Sequence, residues 1–415
     1  MNFIKSRRCT VPFSVIFMSI MFAFFADIKC LNWALVKGEY VSDGLMAPLY
    51  IGTILIIVLA SFFAIRFKTQ IEMTSSLVMF LSLIVFYFIT SQFIGVPRVS
   101  LPFYSVFTLS AFIIPQIVRV DAKWVLFAAM TLPAFSITRI NYIFASYLTW
   151  QDVISMDASY GYLVPIVANI AYIKFFYKEN SVKMKILTCF VSSINLVFLF
   201  ELFLFGSRGP LLAIMLLCII LNIVTIEEGR LSFEKKRVRV TIIASVMFVL
   251  SFFTIVSYFD DFLTNIGINS YAVQKIIKMG SEGNLSNGRS ELSEITWNDF
   301  LNEPIFGHGL DMFEHYHPDQ PYPHNFILQI LYDGGIVLFI ILMVPILKRF
   351  TKKIKSLSRE EGALMTFLFF SSVPGGLFSQ DLWENAALWL FIGYLFTNNI
   401  IYDNNGTSFC NNTYL

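Results

Sequence analysis

The chain has 415 residues, 56% of them hydrophobic and 17% aromatic, with a mean hydropathy of +0.68 and a formal net charge of +2. Soluble domains carry about a quarter charged residues, against 14% here, so a water-soluble globular protein is excluded and no nucleic-acid partner is expected. The apolar residues fall into blocks of about twenty, the length a helix needs to cross a hydrocarbon core roughly 30 Å thick. The alternating pattern of a membrane β-barrel is missing, so helices are the spanning elements.

Twelve spans are expected, near 11–28, 45–65, 74–94, 99–118, 124–145, 159–177, 185–205, 209–226, 238–259, 324–347, 362–378 and 382–401. The first follows Lys5, Arg7 and Arg8, as a signal peptide would, but no small-residue cleavage site comes after it and it is read as a span. The fold class is therefore all-α and integral to a membrane. Residues 1–259 hold nine spans, 260–323 form one long outer loop with short helices, 324–401 hold three more spans, and 402–415 are a polar tail. Lys and Arg gather in alternate loops, about 22 of the 30 on one side, and the positive-inside rule puts that side and both termini in the cytoplasm. The five cysteines are scattered and suggest neither a disulfide framework nor a metal pair.

The opposite side keeps few positive charges, and two of them sit in like surroundings. In FGSRGPLL, Arg208 follows Ser207 at a tight turn between two apolar spans. Gly206 and Gly209 let backbone amides approach an anion, Pro210 suits a first helical turn, and the helix amino terminus adds partial positive charge. The alternative is a boundary arginine paired with Glu201 one face below. In SNGRSELSE, Arg289 again follows a turn-forming dipeptide and opens a helix, and its planar fork suits a diphosphate; the bland reading is a solvated loop residue. From Ser290 to Leu301 an amphipathic helix at the membrane surface is expected, ended by Pro304 and followed by an irregular stretch to Pro323.

All four histidines, His308, His315, His317 and His324, lie in or against the long loop. His324 stands where the loop enters the bilayer, and its ordinary pKa near 6.5 suits proton transfer at neutral pH. Asn325 beside it is able to cap the next span and leave the imidazole for other work. His315 and His317, with Asp311 and Glu314, match no zinc spacing, and no nucleotide-binding glycine pattern is present. Glu291, Glu294, Asp311 and Asp333 are weaker candidates for a base.

Taken in order, FGSRGPLL, NGRSELSEITWNDFLNEPIFGHGLDMF and PYPHNFILQILYDGGIVLFIIL make the region from Leu199 to Leu347 resemble the bacterial O-antigen ligase and polymerase superfamily. The resemblance implies a glycosyltransferase of the inner membrane, working on the periplasmic face with neither metal, cofactor nor nucleotide sugar. Its donor would be an undecaprenyl-diphosphate-linked oligosaccharide. It further implies that Arg208 and Arg289 hold the diphosphate, with Ser207, Gly209 and Asn325 lining the substrate, and that His324 orients or deprotonates the acceptor hydroxyl. Fixed cations at the leaving group would do the work of a metal. The SRG triplet and the Pro-His-Asn and Gly-Gly sequence favour a polymerase, with a lipid-linked repeat unit as acceptor, over a ligase to lipid A core. A flippase of the same lipid is the more distant alternative; a flippase and a chain-length regulator are also possible protein partners.

Overall fold

The computed structural model describes residues 11–26, 82, 83, 85, 106–135, 156–227, 230–267, 270–281, 288–310, 312–383 and 385–397. The expected span at 45–65, Arg139, Asp311 and the tail from 402 lie outside these residues. The described chain is helical: α1 (Phe13–Ala26), α2 (Val106–Ile117), α3 (Ala122–Phe135), α4 (Met156–Phe176), α5 (Val182–Phe205), α6 (Arg208–Ile223), α7 (Lys235–Asn265), α8 (Tyr271–Ser281), α9 (Arg289–Asn302), α10 (Phe313–Tyr316), α11 (Phe326–Ile354), α12 (Arg359–Phe378) and α13 (Ala386–Leu395). One antiparallel hairpin, β1 (Val224–Glu227) with β2 (Arg230–Phe233), interrupts them between α6 and α7 and pairs Val224 with Phe233.

Among the described residues three helices are long and apolar enough to cross a membrane, Val182–Leu204, Phe326–Ile354 and Arg359–Phe378. A fourth is added if Lys235–Met247 and Leu250–Asn265, bent by 41°, form one span. The helix expected at 238–259 thus begins earlier and continues to Asn265. Local capping explains where several helices begin. Ser181 caps α5 by accepting from the Met184 amide, Ser358 and Glu361 form a reciprocal capping box on α12, and Asn385 caps α13 by accepting from the Leu388 amide.

Helix α4 is the axis of the bundle: it packs on α3, α5, α6 and α12, and Tyr162, Leu163, Val167, Ala168 and Tyr172 are all within 1% of complete burial. A second aromatic core joins α2 and α13, where Phe112 meets Trp389 edge to face at 5.9 Å. Large apolar side chains point outward from α5 (Phe190, Leu196, Val197) and α7 (Ile243, Met247, Leu250). Such continuous exposed apolar faces need lipid against them.

The two ends of α4 differ in chemistry. At its carboxyl end Lys174 donates to the Leu221 carbonyl, and Arg359 bonds Glu179 and the Phe175 carbonyl. This gathers the basic residues that close α4 and open α12 at one end of the bundle. At its amino end, about 30 Å away by helical rise, Ser159 accepts from the Ser207 amide at 3.0 Å.

The segment between α9 and α11 is less irregular than expected. After α9, residues Pro304 to Gly309 run alongside a break in α11. There the Ile336 amide donates to the Pro304 carbonyl at 2.9 Å, and the amides of His308 and Gly309 donate to the carbonyls of Tyr332 and Asp333 at 2.8 and 2.9 Å. Gly335, with φ 59° and ψ −159°, makes the break, and its freed backbone groups are paired by the crossing segment. Helix α9 forms where the amphipathic helix was expected, but it buries Leu292 and Thr296 while Ile295, Trp297 and Leu301 remain exposed. The cleaner two-faced helix is α8, not anticipated from the sequence: Val273 is buried and Ile276 and Ile277 are half-buried, whereas Gln274 and Lys278 face outward.

Candidate functional site at the amino end of α4

Arg208 and Arg289 occupy equivalent places on different helices: each is the first residue of its helix, α6 and α9 respectively. The turn into α9 is made by Gly288, whose φ of 79° is left-handed. Both guanidinium groups are partly buried and lie within electrostatic reach of each other, so two like charges converge beside two helix amino termini. No ion pair joins Arg208 to Glu201 among the described residues; the Glu201 Oε2 is buried without a hydrogen-bond partner. The pairing of Arg208 with Glu201 considered from the sequence is therefore not formed.

His324 is the only non-glycine among the described residues with positive φ, at 59°. Such a conformation is costly for a side chain bearing a Cβ and persists where the surroundings impose it. The imposing contacts are visible. Asn325 Oδ1 accepts from the amides of Ile327 and Leu328 at 2.9 and 3.2 Å, fixing the start of α11 immediately after the histidine. The Tyr322 ring meets the imidazole edge to face at 4.5 Å, and its hydroxyl donates to the Ser379 carbonyl at 3.0 Å. The same carbonyl lies 3.2 Å from His324 Nδ1. A carbonyl oxygen only accepts, so Nδ1 carries the proton and Nε2 presents its lone pair. Burial holds the imidazole pKa below its ordinary 6.5; the bond to Ser379 opposes this and the charge of Arg289 adds to it. At neutral pH the ring is therefore an uncharged base.

Ser379 was not singled out from the sequence. It sits where α12 ends, on a polar segment fastened to α11: Gln329 donates to Asp381 at 2.6 Å and accepts from the Leu382 amide at 2.8 Å. These contacts span about fifty residues of sequence and leave no local signal. Gly209 is pressed against this assembly as well. A Cβ there would stand 2.1 Å from the Tyr160 hydroxyl and 3.8 Å from the Ser379 hydroxyl, which brings α6, α4 and the end of α12 together.

Other expected residues fall away from the centre. Asp333 is fully buried and its Oδ2 accepts from Trp383 Nε1 at 2.6 Å, so it braces the α11 break and is no candidate base. Glu291 and Glu294 are exposed on α9. His317 meets Asp299 at 2.8 Å, His308 stacks on Tyr332 with ring centroids 4.6 Å apart, and His315 is exposed. The Asn325 side-chain oxygen is taken by its cap, which leaves its amide nitrogen as the part of that residue able to reach a substrate.

Two helix-start arginines and a histidine thus share one end of an apolar helical bundle. Residues 193–343 match the family model described as O-antigen ligase, a segment that contains all three side chains. The match of this segment supports the O-antigen polymerase and ligase superfamily, and members of the matched family are glycosyltransferase-like enzymes. No curated protein matches the chain.

Proposed function

We propose that the protein is an O-antigen polymerase that joins undecaprenyl-diphosphate-linked oligosaccharide units at the periplasmic face of the bacterial inner membrane. The observation that carries the reading is the convergence of Arg208 and Arg289 on the end of the bundle where His324 has its Nε2 lone pair unengaged by the Ser379 bond. In the reaction an acceptor sugar hydroxyl attacks the anomeric carbon of the donor, the carbon–oxygen bond to the diphosphate breaks, and the hydroxyl proton passes to Nε2. Negative charge grows on the departing undecaprenyl diphosphate, where two guanidinium forks and two helix amino termini stabilise it more than in the ground state. Arg208, Arg289 and His324 are the catalytic set. Ser207, Gly209 and the Asn325 amide line the substrate.

The second reading is a ligase that passes the finished glycan to lipid A core, and the matching family's description names that activity. Deletion of the gene separates the two. Lipopolysaccharide capped with a single repeat unit indicates a lost polymerase; core without any repeat unit indicates a lost ligase. If purified wild-type protein extends no lipid-linked repeats and transfers none to core, both readings fall.

A further inference from the structure

The walls of this site contain three buried hydroxyls whose hydrogen-bonding capacity the protein leaves unfilled. Tyr160 Oη, Ser207 Oγ and Ser379 Oγ are each buried and each lack a hydrogen-bond partner. Tyr160 is 4% exposed and Ser379 1% exposed, so water does not reach them from the surface. They come from three separate helices or their ends: α4, the turn into α6, and the end of α12. Tyr160 and Ser379 both lie beside Gly209 and interact with each other there, but the contact falls short of full hydrogen-bond geometry. Buried polar groups are nearly always paired, and three unpaired ones around one helix start are hard to account for as packing.

The charges nearby say what the missing partner is. Tyr160 lies within electrostatic reach of Arg289, and Ser207 is the residue before Arg208. A tyrosine and two serines all donate, and a ligand that only accepts, with negative charge beside two guanidinium groups, satisfies all of them at once. We propose that the Tyr160, Ser379 and Ser207 hydroxyls form a donor pocket for the phosphoryl oxygens of a polyprenyl diphosphate, beside Arg208 at the start of α6. The inference rests on the donor assigned to the site above and names further residues that recognise it. It also accounts for Gly209, since any side chain there would displace the Tyr160 hydroxyl.

The decisive variant is Tyr160→Phe, which removes one oxygen and keeps the ring. Purified full-length protein would be titrated with geranylgeranyl diphosphate and geranylgeranyl monophosphate, and its melting temperature recorded without ligand. The expected result is diphosphate affinity weakened roughly tenfold, as for loss of a hydrogen bond to a charged group, with an unchanged or higher ligand-free melting temperature. A hydroxyl serving only the fold gives the reverse, a lowered melting temperature with unchanged affinity, and overturns the proposal. Ser379→Ala should weaken binding without shifting the pH profile of transfer, since the carbonyl that holds His324 is retained. Arg208→Ala separates the two levels of inference. If it abolishes diphosphate binding while Tyr160→Phe binds as wild type, the hydroxyl pocket is wrong and the donor assignment stands; if wild type binds no diphosphate, both fail.

Discussion

With Nδ1–H held by the Ser379 carbonyl, only Nε2 of His324 is left to take a proton, and this determines how its variants behave. His324→Ala should lower transfer by roughly 10²- to 10⁴-fold, the usual worth of a positioned base, with expression and membrane insertion intact. The pH profile carries a sign. Because burial and the charge of Arg289 hold the pKa below 6.5, the neutral base persists into mildly acid solution, and kcat/KM should fall with a midpoint below that value. Removing the positive neighbour with Arg289→Gln should raise the His324 pKa, readable by NMR titration of the labelled ring even where activity is lost. A midpoint above 6.5 in the wild type, or a downward shift in the variant, would contradict the assigned electrostatics. For the arginines the geometry of the fork matters as well as the charge. Arg208→Lys and Arg289→Lys should each keep the positive charge and still lose most activity, because an ammonium cannot bind two oxygens in one plane. Wild-type rates in both lysine variants would leave charge alone as the requirement.

At the level of elements, the break in α11 and the segment crossing it are one construction. A Cβ on Gly307 would lie 2.4 Å from the Tyr332 carbonyl oxygen, and one on Gly335 2.4 Å from the Ile305 carbonyl oxygen; both residues also have positive φ. Gly307→Ala or Gly335→Ala should therefore force the backbones apart and lower the melting temperature. Gly267→Ala supplies the control. Its φ of 80° is equally left-handed, but nothing lies within 4 Å of the added carbon, so only the conformational cost of roughly 1–2 kcal/mol applies. Equal losses in all three variants would show that backbone strain, and not the close crossing, dominates. The sequence made part of this element legible. An arginine just after a turn-forming Gly-Ser or Asn-Gly is a local signal, and it points correctly to the starts of α6 and α9; Asn325 as a cap is equally local. The crossing of Pro304–Gly309 over α11 has no local signal, because its hydrogen bonds join residues about 24 to 32 positions apart. Tyr160 and Ser379 were missed for the same reason. Neither has a motif of its own, and their significance arises only where α4, α6 and the end of α12 meet.

For the whole molecule, the central matter is which end of the bundle faces which compartment. The alternation of basic loops in the sequence assigns every span a direction, and the described helices agree with it in one respect: Lys174 and Arg359 meet at one end of α4, whereas Ser207 and Ser159 meet at the other. Geometry alone has no inside or outside, since it fixes the ends relative to each other and not to the cell. The positive-inside argument supplies the missing sign. On that argument exposed Lys352, late in α11, is expected on the cytoplasmic side and exposed Ser281, at the end of α8, on the periplasmic side. Cysteines placed singly at these positions, in a background lacking the native thiols, should respond oppositely to a membrane-impermeant maleimide applied to spheroplasts. Ser281→Cys should be labelled at once, and Lys352→Cys only after the membrane is permeabilised. Labelling in the reverse order would turn the bundle over and put His324 on the cytoplasmic side. A lipid-linked glycan already moved across the membrane could not be its substrate there. Labelling of both positions in intact spheroplasts would break the assignment differently, by showing that α11 does not carry the chain from one face to the other.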